Sequence, residues 1–266
     1  MPYHNYTVYL FNLKKYFYLL EEKETYSTYE ERLESEKYRS PKNVYKLLSY
    51  MLRRVVLSKT LKCDPLDIKY KYNMFKKPYD IDDRIFFNVS HTENWFVMGL
   101  SQENEIGVDA ESVKYIPKMN SFMDSICTLK EKKYIQHYQG KEKEQLLITL
   151  WSLKESYIKA HVREIQLNFK DIEYTIINDH APPKGLPPII WHEKSKLTNR
   201  IVSNFFTYQD DISFVVSVSV NLPEDSLEKD IAIMLHKEVN PSLSSIINIP
   251  NNNNSKNHKR GNNDRI

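Results

Sequence analysis

Glycine is scarce in this chain, with five in 266 residues, at positions 99, 107, 140, 185 and 261. No two lie close enough to build a loop whose backbone N–H groups cradle a phosphate, which excludes Walker-type and dinucleotide-binding loops. Any phosphate bound here must be held by side chains and metal. Cysteine is scarcer still. Cys63 and Cys127 stand far apart, with no CxxC or Cys/His cluster, so a structural zinc site is not expected. Two unclustered thiols fit a reducing compartment better than a secreted disulfide scaffold. No apolar run approaches the roughly 20 residues of a membrane span. The apolar stretch Met1 to Leu20 is broken by Asn12, Lys14 and Lys15 and lacks the uninterrupted core of a signal peptide. A cytoplasmic protein with no membrane segment is expected. The charge is nearly balanced, 38 basic against 35 acidic residues, which argues against a dedicated nucleic-acid or membrane-surface binder.

What is present is ordinary globular composition, 41% hydrophobic and 27% charged, in a length that suits one large domain or two modest ones. Tyr6 to Leu10 reads as a first strand. Glu30 to Thr60 reads as helical, with Pro41 opening a second helix and Leu47, Leu48, Met51, Leu52 and Val55 at helix spacing. From Arg84 the period changes to two. Ile85, Phe87 and Val89, then Asn94 to Leu100, then Ile106, Val108 and Ala110 read as a short antiparallel meander. Pro117 to Lys141 is helical in pieces. Glu142 to Ala160 is the strongest helix, with Leu146, Leu150, Leu153 and Tyr157 as its apolar stripe. Asp171 to Ile177 reads as a strand, Ala181 to Pro188 as a loop, and Phe205 to Tyr208 with Ser213 to Val220 as a hairpin. Helix followed by strands thus occurs twice, although no sequence repeat is visible. The expected organisation is an N-terminal lobe over 1–112, a C-terminal lobe over 113–222 and an Asn-rich, disordered tail over 223–266.

Three groups of residues carry chemistry. Asp109 and Glu111, two apart on a strand, share one face and offer oxygens to a hard cation such as magnesium. Taken alone, that pattern is more often the water-facing side of a strand. Glu155 and Lys159 share a helical stripe with Trp151, and the same spacing suits a plain surface ion pair. His91, in the run Asn88-Val89-Ser90-His91 at a strand end, is either a packed histidine or a phosphate ligand. Lys77 before Pro78, and Arg32, are further cations, each readable as a solvated charge.

Together these residues form a pattern. Asn88-Val89-Ser90-His91-Thr92, Gly107-Val108-Asp109-Ala110-Glu111 and Trp151-Ser152-Leu153-Lys154-Glu155-Ser156-Tyr157-Ile158-Lys159 closely resemble the motif set of the 4′-phosphopantetheinyl transferases. The resemblance is to the type that activates surfactin synthetase, including eukaryotic cytosolic relatives, and it can be followed from about residue 30 to about residue 220.

The resemblance implies an α/β (α+β) fold of two pseudo-symmetric lobes, each a small antiparallel-rich sheet packed with helices, with the active site at their junction. It implies coenzyme A as co-substrate, Mg2+, and transfer of phosphopantetheine to a serine of an apo acyl or peptidyl carrier protein by a monomer. By position, Asp109, Glu111 and Glu155 correspond to metal ligands, and Glu155 also to the base for the attacking serine. Lys159 corresponds to a catalytic contact with the diphosphate, and His91 with Ser90 to the 3′-phosphate site. Lys77 corresponds to a lysine near the nucleotide and Arg32 to a basic residue serving the phosphates. The chain departs from the pattern at three places. Lys46 is the nearest cation where the family has an arginine at Tyr45, Val162 and Glu164 occupy a loop that is commonly glycine-bearing, and Ala110 stands for Ile or Val. A relative that binds coenzyme A or a carrier protein without catalysis is the alternative reading.

Overall fold

A computed structural model describes residues 4–74, 76–161, 168–174, 200–209, 212–222 and 231–237. The loop expected at Ala181 to Pro188, the end of the strand expected at Asp171 to Ile177, the departures at Val162 and Glu164 and the Asn-rich runs lie outside them. The chain runs through β1 (His4–Asn12), a 3-10 helix (Leu13–Glu22), α1 (Lys23–Tyr26), α2 (Tyr29–Glu36) and α3 (Lys42–Leu61). The short strands β2 (Tyr70–Tyr72) and β3 (Pro78–Asp80) form a hairpin, followed by β4 (Phe86–Thr92), β5 (Trp95–Ser101) and β6 (Ile106–Ser112). Then come α4 (Met119–Ile126), α5 (Leu129–Ile135), α6 (Gly140–His161), β7 (Arg200–Gln209), β8 (Ser213–Leu222) and β9 (Ile231–Lys237).

The strands make two larger sheets, β4-β5-β1-β9 and β6-β8-β7. Within the first, β1, β5 and β4 pair antiparallel. Within the second, β6, β8 and β7 do so in the corresponding order. Each sheet carries one long helix, so the two halves have the same construction.

The sheets bury both faces, because their strands alternate between two apolar cores. Tyr9 and Phe11 of β1 pack with Leu48, Met51, Leu52 and Val55 of α3, while Val8 and Leu10 face the second sheet. Val215 of β8 packs with Leu146, Leu150, Leu153 and Tyr157 of α6, while Val216, Val218 and Val220 meet the first sheet. The layers are therefore helix, sheet, sheet, helix.

Three expectations are corrected. The meander ends at β5. Although β6 follows directly, it pairs with β8 through the register Asp109↔Ser217, and so belongs to the second sheet rather than to the lobe bounded at residue 112. The reason is partner choice: alternation marks a strand but not its neighbour. Second, β9 falls in the stretch expected as tail and pairs parallel with β1, Val8 opposite Leu235. Its sequence, IAIMLHK, is apolar enough for a sheet edge. Third, a repeat does exist, though it is too sparse to see as sequence identity. Thr28 and Glu31 form a capping box at α2, and Thr128 and Glu131 form another at α5. Glu31 then accepts from Arg53 at 2.9 Å and Arg54 at 2.7 Å, both on α3. Glu131 accepts from Lys154 on α6 at 2.7 Å. Each lobe uses one carboxylate twice, to cap a short helix and to neutralise a buried cation on the long one.

Candidate active site

The site forms where β4, β6 and α6 meet. As an edge strand, β6 has backbone N–H groups that its own sheet does not use. Asn88 Oδ1 accepts from the Val108 N–H at 2.8 Å, and Ser90 Oγ accepts from the Ala110 N–H at 3.2 Å. Two β4 side chains therefore fasten the first sheet to the edge of the second. On the helix side, a Cβ at Gly107 would lie 2.0 Å from the Ser156 carbonyl oxygen and 2.4 Å from the Ala160 nitrogen. Only glycine lets α6 approach β6 this closely, and that approach brings Lys159 onto Asp109.

Lys159 Nζ donates to Asp109 Oδ1 at 2.7 Å and stands 3.4 Å from Ser90 Oγ. Ser90 Oγ donates to the same carboxylate oxygen at 3.0 Å. Asp109 is 3% exposed, and its other oxygen, Oδ2, is buried with no hydrogen-bond partner. A buried, unpaired carboxylate oxygen is costly and calls for a cation. About two turns before Lys159 on α6, Trp151 Nε1 donates to Glu111 Oε1 at 3.1 Å. The Trp151 ring is held between Phe122 and Phe169, with centroids at 5.4 and 4.7 Å.

The carboxylates feel one another. Burial pushes the Glu111 carboxyl up and Asp109 adds to the rise, against the Trp151 hydrogen bond and the charges of Lys159 and Lys114. Burial likewise raises Glu155; Lys159 opposes the shift, and Asp109 and Glu111 reinforce it. Among the described residues no three acidic, His or Cys side chains are drawn together tightly enough to hold an ion. The donor chemistry nonetheless fits a hard cation, being all carboxylate oxygen with one oxygen orphaned.

His91 is open to solvent on one side and packs its ring against Phe96, centroids 5.2 Å apart. The protein around it, and then the positive charges of Lys46, Lys159 and Arg53, push its pKa down. Lys46, one position past Tyr45, thus brings its charge to bear on His91. Its ammonium lies 4.9 Å from the Tyr50 ring centroid, while Tyr45 stacks on Phe17.

Two expected site residues are engaged elsewhere. Arg32 donates to the Ser27 carbonyl at 2.7 Å and pairs with Glu24 at 2.6 Å, and among the described residues no hydrogen bond or ion pair links it to the Asp109 cluster. Lys77 donates to the backbone carbonyl of Lys159 at 2.6 Å. The sequence reading gave Asn88 and Trp151 no role. Asn88 was visible only as part of a motif, and Trp151 only as a member of the Glu155 stripe.

Residues 105–208 match the model of the 4'-phosphopantetheinyl transferase superfamily. The holo-[acyl-carrier-protein] synthase of Listeria monocytogenes is 32% identical over 83 residues, 30% of this chain and 70% of that protein. The 4'-phosphopantetheinyl transferase gsp of Aneurinibacillus migulanus is 30% identical over 125 residues, 47% of this chain and 51% of the relative. For Sfp of Bacillus subtilis the figures are 27% over 143 residues, 53% and 62%. A crystal structure of a holo-(acyl-carrier-protein) synthase from Bacillus anthracis in complex with CoA (3',5'-ADP) aligns with a TM-score of 0.33 at 22% identity, over 44% of this chain and 95% of that one. The chain belongs to the 4'-phosphopantetheinyl transferase superfamily. It spans about half the length of several of the relatives it matches.

Proposed function

We propose that this protein transfers the 4′-phosphopantetheine group of coenzyme A to a serine of an apo carrier protein, with magnesium, releasing 3′,5′-ADP. The observation that carries the reading is the meeting of Ser90, Asp109 and Lys159, from three separate motif segments, within 2.7 to 3.4 Å. Coenzyme A appears in the names of two structural neighbours and an acyl carrier protein in that of a sequence relative.

In this reading Asp109, Glu111 and Glu155 are the residues that would hold the metal, which would supply neutralising charge for the diphosphate and the departing nucleotide. Phosphoryl transfer asks the protein mainly for positioning and charge. Lys159, anchored by Asp109 and 27% exposed at its side chain, faces the diphosphate. Glu155 takes the proton from the carrier serine hydroxyl. The serine oxygen bonds to the phosphorus that bears the pantetheine arm, and the bond from that phosphorus to the bridging oxygen breaks. His91 and Lys46 receive the 3′-phosphate, the Ser90 hydroxyl being spent on Asp109. Both halves of the site come from one polypeptide, which fits a monomer at work in the cytoplasm.

The test is to incubate the protein with coenzyme A, magnesium and a panel of apo carrier proteins, and to weigh the carriers. A phosphopantetheine mass increment on at least one carrier is expected, lost with Glu155→Gln while the circular dichroism spectrum stays unchanged. Coenzyme A binding with no increment across the panel would leave a binding protein instead. Near wild-type turnover by Glu155→Gln would overturn the role given to that residue.

A further inference from the structure

Lys77 lies just before β3, 82 residues upstream of the carbonyl it contacts. Its backbone closes the β2–β3 loop, the Lys77 N–H donating to Asn73 Oδ1 at 2.9 Å and the Asn73 N–H to the Lys77 carbonyl at 3.1 Å. Its side chain is 10% exposed and leaves the first lobe altogether. The ammonium donates to the Lys159 carbonyl at 2.6 Å, with Glu105 Oε2 at 3.4 Å and the Ile106 carbonyl at 3.5 Å.

An ammonium has three N–H donors. Three acceptors among the described residues lie around it, where α6 ends and β6 begins. The last carbonyls of a helix have no partner within the helix, and a cation there is favoured by the helix dipole. Lys159 is therefore gripped twice. Its side chain is held by Asp109 on β6, and its backbone by a lysine from the opposite lobe.

We infer that Lys77 is a positioning residue, a clamp between the lobes that fixes the last turn of α6 and with it the Lys159 ammonium, and not a ligand of the nucleotide. The inference concerns the site of the proposed transferase and rests on that reading for its kinetic consequences. Its structural consequence stands apart from activity. Without the clamp the final turn of α6 frays, the Lys159 side chain loses its fixed bearing on Asp109, and the reaction slows although coenzyme A still binds.

The experiment compares the full chain with Lys77→Met and Lys77→Arg, reading three quantities for each: kcat, the coenzyme A Kd by calorimetry, and amide hydrogen exchange over residues 157–161. Lys77→Met is expected to lower kcat at least tenfold, to change the Kd less than threefold and to speed exchange in that turn. Lys77→Arg, which still donates to a carbonyl, is expected to restore protection and most of kcat. A tenfold weaker Kd with kcat and exchange unchanged would overturn the clamp and make Lys77 a nucleotide ligand. Should Lys77→Met not fold, Lys77→Gln provides the same comparison. If the wild-type chain transfers nothing, the proposed function fails, while the exchange comparison still decides the clamp.

Discussion

His91 shows how charge at one residue becomes a measurable property of the site. In the free protein the imidazole is held neutral, first by the protein packed around it and then by Lys46, Lys159 and Arg53. Lys46 is itself pushed down, mainly by burial and secondarily by Arg53, so this corner holds more positive charge than it can comfortably keep. A bound phosphate reverses the field. The pKa of His91 then rises, and binding takes up a proton wherever the pH lies between the free and bound values. Coenzyme A should therefore bind more tightly as the pH falls through the bound-state pKa of His91 toward its free value of about 3, while 3′-dephospho-coenzyme A should show little such dependence. Calorimetry in buffers of different ionisation enthalpy measures the proton directly, and His91→Gln should abolish the uptake. Uptake of equal size with both ligands would place the 3′-phosphate elsewhere. The contributors to this corner were unequally legible in sequence. His91 follows a strand in a recognisable motif, whereas Lys46 sits one step, about 100° of helix, from the expected position. Its relevance lies in its charge acting on His91, which belongs to another element, a relation that spacing alone does not reveal.

At the level of elements, the two long helices are fastened by the same device with different cations, and the difference has consequences. Glu31 neutralises Arg53 and Arg54, which cannot give up their protons. Glu131 neutralises Lys154, whose side chain is 0% exposed and whose pKa burial pushes down, against the pull of Glu131. Removing one partner of a buried pair costs about 3–5 kcal/mol because the other charge is stranded. Glu31→Ala should pay that in full, measured by urea unfolding at pH 7. Glu131→Ala should lose less, since Lys154 can shed its proton. The sign follows from linkage: a lysine with a lower pKa folded than unfolded binds fewer protons in the native state, so the variant regains stability as the pH rises. Its deficit should shrink between pH 7 and pH 9, and that of Glu31→Ala should not. Equal, pH-independent deficits would show that Lys154 stays charged. The long helices were readable because Leu146, Leu150, Leu153 and Tyr157 repeat at helix spacing. Their fastening was not, because Lys154 sits inside a motif that draws attention to Glu155, and a charged residue on an apolar helix face looks solvated until its partner is known. The same gap hid the place of β6, whose alternation is plain but whose partner β8 lies a hundred residues on.

The whole molecule is two lobes that each own a core against their long helix and share a third between their sheets. The shared core contains Val8, Leu10, Trp95, Val108, Phe214 and Val218. A shared apolar core couples the lobes strongly, so they should unfold together. The polar seam beside it has a different task. Asn88 and Ser90 join β4 to the edge of β6, and that edge carries Asp109. Substituting Asn88 by Ala leaves the Val108 N–H buried without an acceptor, a loss of about 1–3 kcal/mol. The unfolding transition seen by calorimetry should move to lower temperature but remain single, because the apolar core is untouched. Activity should fall by more than the stability loss accounts for, since Ser90 and Asp109 lose their fixed register while Lys159, held from α6 and by Lys77, stays where it was. On the proposed function, saturating coenzyme A with magnesium should restore part of the lost thermal stability through mass action. If Asn88→Ala instead split the transition in two, the seam rather than the shared core would be what couples the lobes. The site would then depend for its integrity on four hydrogen-bonding residues, Asn88, Ser90, Asp109 and Lys159, drawn from three elements that the chain brings together only after both sheets have formed.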